Sequence, residues 1–286
     1  MTNNLEKSAS GWTVGEIHAR LGISTAIYQR LRLSAQHIAK IRQAGISRIE
    51  LLLKPASFDY RNLFQAKEVL EECQKQGVKI VSVHAFLGLP YRFKNEAERK
   101  LVITKSLSML RFAEESSVPN YVAHFGCGEH TKVIVPELLN RTDGYSIKLT
   151  TENMGALPPY VAIVEEIGSD RFGLTVDIGH PKDKDGANPL VMKEKARQTL
   201  AQCGNRLSHL HLHETFNLAQ KRDHRPPLHK DGIIQWGEVF AALKDVDYKG
   251  ELLFEDGRGE NPEEWVRMTG EFPQEFVRRY GNNESL

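Results

Sequence analysis

The sequence predicts an α/β chain folded as one closed (β/α)8 barrel, and three observations carry that prediction. Eight short runs rich in β-branched residues recur from residue 21 to residue 257, amphipathic stretches of helical period lie between them, and the 286 residues are close to the roughly 250 of one such barrel. Alternating strands and helices imply right-handed crossovers and a parallel sheet. No glycine-rich phosphate loop follows any of the runs, which removes the strongest mark of an open doubly wound sheet. The whole of 1–286 reads as a single domain, with 1–19 as an N-terminal extension and no internal linker or low-complexity tract.

Taken in order, LGISTAIY (21–28) opens the barrel and SAQHIAKIRQAG (34–45) follows as a helix ending at glycine, where a C-cap is expected. SRIELLL (47–53) puts Ile49, Leu51 and Leu53 on one face and Glu50 on the other, because side chains alternate along a strand. NLFQAKEVLEECQKQG (62–77) is helical and again ends at glycine. KIVSVHAF (79–86) sets Val81, Val83 and Ala85 against His84, the long stretch 95–116 is helical, and NYVAHFG (120–126) carries His124. In IKLTTENMG (147–155) Ile147 and Leu149 oppose Glu152, and in FGLTVDIGH (172–180) Leu174 and Val176 oppose Asp177. VMKEKARQTLAQCG (191–204) is the next helix. LSHLHLHET (207–215) opposes Leu210 and Leu212 to His209, His211 and His213, and GELLFEDG (250–257) opposes Leu252 and Phe254 to Glu255.

Composition narrows the function. With 40% hydrophobic and 26% charged residues, a folded core is expected and wholesale disorder is excluded. Lys+Arg 38 against Asp+Glu 37 leaves a net charge of +1, so no global attraction to nucleic acid or anionic membrane exists. The three cysteines, Cys73, Cys127 and Cys203, are far apart and form no C-x-x-C pair, as expected of reduced thiols in a cytoplasmic protein. No signal-peptide pattern and no apolar run long enough to span a membrane is expected.

The apolar face of the strands would pack under the helices. The opposite face, near the strands' C-terminal ends, collects Glu50, His84, His124, Glu152, Asp177, His211, His213 and Glu255. In a (β/α)8 barrel this inward rim is where several strands aim side chains at one point. Burying several carboxylates together is costly without a counter-charge, and only Arg48 and Lys148 offer a cation on the same face. A divalent metal is the simplest counter-charge, since acids and imidazoles are its usual oxygen and nitrogen ligands. Glu152 and Glu255, on strands separated by two others, are suited to act as base and acid on opposite faces of a substrate.

The motifs TENMG, VDIGHP, HLHLHE, HRPPLHKDGIIQW and LLFED together resemble the xylose-isomerase-like TIM barrels, a resemblance that runs from about residue 20 to residue 280. The resemblance implies that Glu152, Asp177, His211 and Glu255 ligate manganese, magnesium, cobalt or zinc, and that His180 touches substrate or a second metal. It also implies a metal-dependent sugar or sugar-phosphate isomerase or epimerase, which abstracts a proton next to a carbonyl and stabilises an enediolate. The partner is then a small-molecule sugar. A homo-oligomer is compatible with the sequence, which does not set the number of subunits.

The same superfamily includes the endonuclease IV repair nucleases, so a multi-zinc apurinic-site nuclease is the alternative, and only under it is nucleic acid a partner. His84, His124, Glu152 and His180 stand at matching places. The nuclease D-x-H triplet departs here: Asp223 and His224 are adjacent, while His229 and Asp231 occur in reversed order, leaving Asp223, His224 and His229 as candidates for further metal or substrate contacts. Lys221, Arg222 and Arg225 form the densest cationic cluster, suited to a phosphate or carboxylate, but acids interleave with the other loop cations. Trp236 is expected to open a helix and pack there, with a substrate-wall role as the second reading. His209 or His213 is expected to orient His211. A non-catalytic carbohydrate-binding relic would show gaps in the ligand set, and none of the four principal ligands is missing.

Overall fold

The structure is a computed structural model that describes residues 11–86, 88, 90–215, 224–255 and 260–281. Eight parallel strands close on themselves in sequence order: β1 Leu21–Ser24, β2 Arg48–Leu52, β3 Lys79–His84, β4 Asn120–Ala123, β5 Lys148–Glu152, β6 Phe172–Asp177, β7 Leu207–Leu212 and β8 Leu252–Phe254. The ring closes where Ile23 pairs with Phe254. Around it run α1 Val14–Arg20, α2 Ala35–Gln43, α3 Leu63–Gln76, α4 Glu96–Glu115, α5 Glu129–Arg141, α6 Leu157–Ile167, α7 Lys193–Ala201, α8 Trp236–Asp245 and α9 Pro262–Tyr280.

Every expected strand is present but shorter at its C-terminal end. Residues 25–28 form a 3-10 turn because the Ser24 hydroxyl turns the chain by accepting the Ala26 N–H. His124 and Glu255 each stand one residue beyond a ladder, where the backbone leaves the barrel wall. The stretch read as an N-terminal extension divides: residues 1–10 lie outside the described residues, whereas Trp12 and Ile17 are buried. Trp12 donates its indole N–H to Phe240 O at 2.8 Å, and Arg20 reaches Tyr248 O and Gly250 O, which fastens α1 to the chain entering β8.

The greasy faces lie between strands and helices, all of Ile49, Leu51, Val83, Leu149, Leu174, Val176, Leu210 and Leu252 being fully buried. The barrel interior is unusually polar below its mouth. Thr150 and Thr175 hydroxyls pair at 2.6 Å, and the Ser82 hydroxyl donates to Glu50 Oε2 at 2.8 Å. Such pairing offsets the cost of burying polar groups where branched aliphatic side chains usually sit.

In the layer between barrel wall and outer helices, Phe240 of α8 packs against Trp12, which precedes α1, against Trp236, and against Phe272 and Phe276 of α9. Phe240→Ala is expected to cost ~3–5 kcal/mol in urea unfolding, because its neighbours cannot collapse into the space. A loss below about 1 kcal/mol would contradict this packing role.

Candidate metal centre

Because β5, β6 and β7 are adjacent and β8 follows, side chains at their C-terminal ends meet above the polar layer. Ligand atoms of Glu152, Asp177, His211 and Glu255 all lie within 4.8 Å of one another, and all four residues are buried. His211 Nδ1 is 3.3 Å from both Glu152 Oε2 and Glu255 Oε2. Glu152 Oε2, Asp177 Oδ2 and His211 Nδ1 are buried without a hydrogen-bond partner. Orphaned buried acceptors are costly, and a divalent cation is the group this oxygen and nitrogen set fits.

The remaining atoms of these residues are committed elsewhere. Asp177 Oδ1 accepts the Gly179 N–H at 2.8 Å and the His213 Nε2–H at 2.7 Å. The other ring nitrogen of His213, Nδ1, lies 3.2 Å from the Glu214 carbonyl oxygen and 2.9 Å from the His224 backbone nitrogen. A Cβ on Gly179 would stand 1.9 Å from the His213 ring, so only glycine allows that imidazole to lie under the turn. Asn153 grips Asp177 from both sides, its Oδ1 accepting Asp177 N–H at 2.9 Å and its Nδ2 donating to Asp177 O at 3.3 Å. The Asn153 carbonyl also accepts His180 Nδ1–H at 3.2 Å, leaving His180 Nε2 facing His224 Nε2 at 3.2 Å. His84 Nδ1 lies 3.1 Å from Glu255 Oε1, and its Nε2 lies 3.1 Å from His124 Nε2 and 3.4 Å from Glu152 Oε2.

These contacts set the charges. Burial alone would raise the carboxyls, but His124 and His211 hold Glu152 well below the usual carboxylate range, and His180 and His213 do the same for Asp177. Burial would likewise lower His84, but hydrogen bonds to Glu255 and Glu50 push it up to about 10. Asp177 pushes His213 up to about 9 against the same opposition. His224, buried beside His213, falls to about 4.

A cavity of about 740 Å³ opens above these residues, its floor formed by His84, His124, Glu152, His180, His224 and Glu255. Phe86, Tyr91, Phe125 and Met154 line its walls, together with Lys54 and Arg92. Lys54 donates to Gln29 at 3.0 Å and lies over the Phe86 ring.

Several expected contributors fall elsewhere. Trp236 is buried among Phe240, Phe254 and Phe272, with its indole N–H on Glu214, and is a packing residue rather than a cavity wall. Arg225 pairs with Glu260 at 3.2 Å and does not line the cavity, since its backbone bridges to Glu214 and carries the side chain away. His229 sits in a turn whose Asp231 N–H it accepts, apart from the groups converging on the mouth. Lys221, Arg222 and Asp223 lie outside the described residues. His213 orients Asp177 rather than His211. Asn153 was missed, although its place beside Glu152 in TENMG was a usable signal.

The family described as xylose isomerase-like TIM barrel matches residues 38–272. A D-psicose 3-epimerase of Enterocloster bolteae is 22% identical over 193 residues, 66% of this chain and 52% of that protein, so the chain spans about half the length of that relative. Among solved structures, D-psicose 3-epimerase from Clostridium cellulolyticum with D-tagatose superposes with TM-score 0.70 at 15% identity, covering 91% of this chain and 98% of the other. The IolI protein with a bound zinc atom gives 0.69 at 17% identity, covering 91% and 99%.

The titrations predict a pH profile for protein kept free of metal by chelator. His84 and His213 are raised above the unfolded value of ~6.5, so their contribution is full below that pH and is lost as pH climbs through about 9 to 10. Glu50, Glu152, Asp177 and Glu255 are depressed, as is His224, so the acid limb begins near pH ~6.5 and steepens through the carboxylate range. The urea midpoint should peak at about pH 6–7 and fall toward pH 10. A flat profile across the alkaline range would contradict these pairings.

Proposed function

The chain belongs to the xylose isomerase-like TIM barrel family, and we propose that it is a metal-dependent isomerase or epimerase of a ketose or ketose phosphate. The observation that carries the reading is the convergence of Glu152, Asp177, His211 and Glu255, with three orphaned ligand atoms, at the base of a cavity of small-molecule size. A divalent cation (manganese, magnesium, cobalt or zinc) held by those four would polarise a carbonyl and its neighbouring hydroxyl and offset the charge left when the adjacent carbon loses a proton.

The chain's own residues supply the rest. Glu152 and Glu255, on strands separated by β6 and β7, take the proton on one side of the substrate and return it on the other. Glu255 Oε1 is held by His84, which fixes its direction. His180, anchored through Nδ1 by Asn153, presents Nε2 to a sugar hydroxyl. Phe86, Phe125 and Met154 shield the reacting carbon from bulk water. His124 and His224 contact the substrate at the floor. The relatives named for D-psicose epimerisation support ketohexoses as the first substrates to try. The nuclease reading retains the group His84, His124 and Glu152, but a cavity of this size suits a monosaccharide better than a duplex.

Incubated in heavy water with a panel of D-psicose, D-tagatose, D-fructose and their phosphates, the manganese-loaded enzyme is expected to place deuterium beside the carbonyl of one of them. Glu152→Gln should lower that exchange ~10²–10⁴-fold while sugar binding changes little. Cleavage of abasic duplex with no exchange across the panel would overturn this reading.

A further inference from the structure

We propose that Glu50 is a positioning residue of this centre: its carboxylate takes the Nε2–H of His211 and thereby turns the Nδ1 lone pair of that ring toward Glu152 and Glu255. The inference rests on His211 being a ligand, as proposed above, and adds a residue on the far strand β2 with no contact to substrate.

Glu50 is fully buried and is not part of the cavity lining. Its strand is separated from β7 by β8 and β1, so its side chain crosses the barrel interior to reach His211. There Oε2 lies 3.2 Å from His211 Nε2 and accepts the Ser82 hydroxyl at 2.8 Å, with His209 Nε2 at 3.4 Å. An apolar side chain would fill this layer at lower desolvation cost. What the carboxylate adds is direction. A carboxylate beneath an imidazole accepts one N–H, so the other nitrogen carries the lone pair, and His211 Nδ1 is the nitrogen left without a hydrogen-bond partner, 3.3 Å from each glutamate. Ligating histidines are typically oriented this way, and loss of the partner typically lowers metal affinity ~10–100-fold.

Glu50 also offers a ligand atom within 4.8 Å of those of His84, His211 and Glu255. If it bound the cation itself, His211 would have to coordinate through Nε2, so the two arrangements differ in which nitrogen is protonated.

The test uses full-length protein with ¹⁵N-labelled histidine, loaded with zinc. In the wild type the His211 ring is expected to show a protonated Nε2 and a coordinated Nδ1. Glu50→Gln should lower zinc affinity ~10–100-fold by chelator competition, while Thr150→Ser, in the same interior layer but bonded to Thr175, should leave it unchanged. Coordination through Nε2, or Nδ1 coordination with undiminished affinity in Glu50→Gln, overturns the role of Glu50 alone. Zinc bound without His211 overturns the metal-centre reading as well. If Glu50→Gln does not fold, the nitrogen assignment in the wild type decides.

Discussion

Four carboxylates, Glu50, Glu152, Asp177 and Glu255, are held inside one barrel mouth with almost no access to water. At ~4 Å, two like charges repel by about 4 kcal/mol even in a medium of effective dielectric near 20. That repulsion has to be balanced, and the surrounding chemistry is arranged for the purpose. His84, His124, His180, His211 and His213 each bring a ring nitrogen to within 4 Å of at least one carboxylate oxygen. A proton on an imidazole and a bound cation are alternative ways to supply the same positive charge, so loading such a centre would release protons.

The barrel makes this density of charge tolerable by fixing the partners from several strand ends at once. Asp177 illustrates it. Its backbone is locked by Asn153 of the β5 end, one oxygen is saturated by Gly179 and His213, and only the other is left for a ligand. His211 is treated similarly from the opposite direction, with its Nε2 above Glu50 and its Nδ1 among the glutamates. Beneath the mouth the Ser82 hydroxyl holds Glu50, the carboxylate facing His211, and so helps to aim that ring, while Thr150 and Thr175 pair with each other and fill the core. The chemistry proposed for Glu152 and Glu255 depends on that aim, because proton transfer requires each carboxylate to be within hydrogen-bond reach of the reacting carbon's proton.

Much of this was legible before any coordinates. A period of two in short runs assigns each side chain to the wall or the interior, and the strand ends of a closed barrel can meet only at its axis. That is why Glu50, His84, His124, Glu152, Asp177, His211, His213 and Glu255 could be placed on one inward rim, whereas the choice of Glu152, Asp177, His211 and Glu255 among them came from the resemblance of the motifs to a family. Alternation does not say how high a residue stands relative to a strand several places around the ring. It therefore does not choose between His209 and His213 as the neighbour that serves His211, and it places Glu50 on the inward face without its partner being evident. Loop residues escape the rule entirely: Arg225 is drawn to Glu260 by a contact that no periodicity encodes, whereas Trp236 opens α8 and packs among Phe240, Phe254 and Phe272.

The central claim is that this mouth is shaped round a cation. The most direct measurement is anomalous diffraction at the manganese edge from crystals grown with manganese and no competing metal. The account predicts a peak bounded by Glu152, Asp177, His211 and Glu255, with oxygen and nitrogen ligands at about 2.0–2.6 Å. An ordered mouth without a peak, or a peak on an outer surface of the barrel, would contradict it.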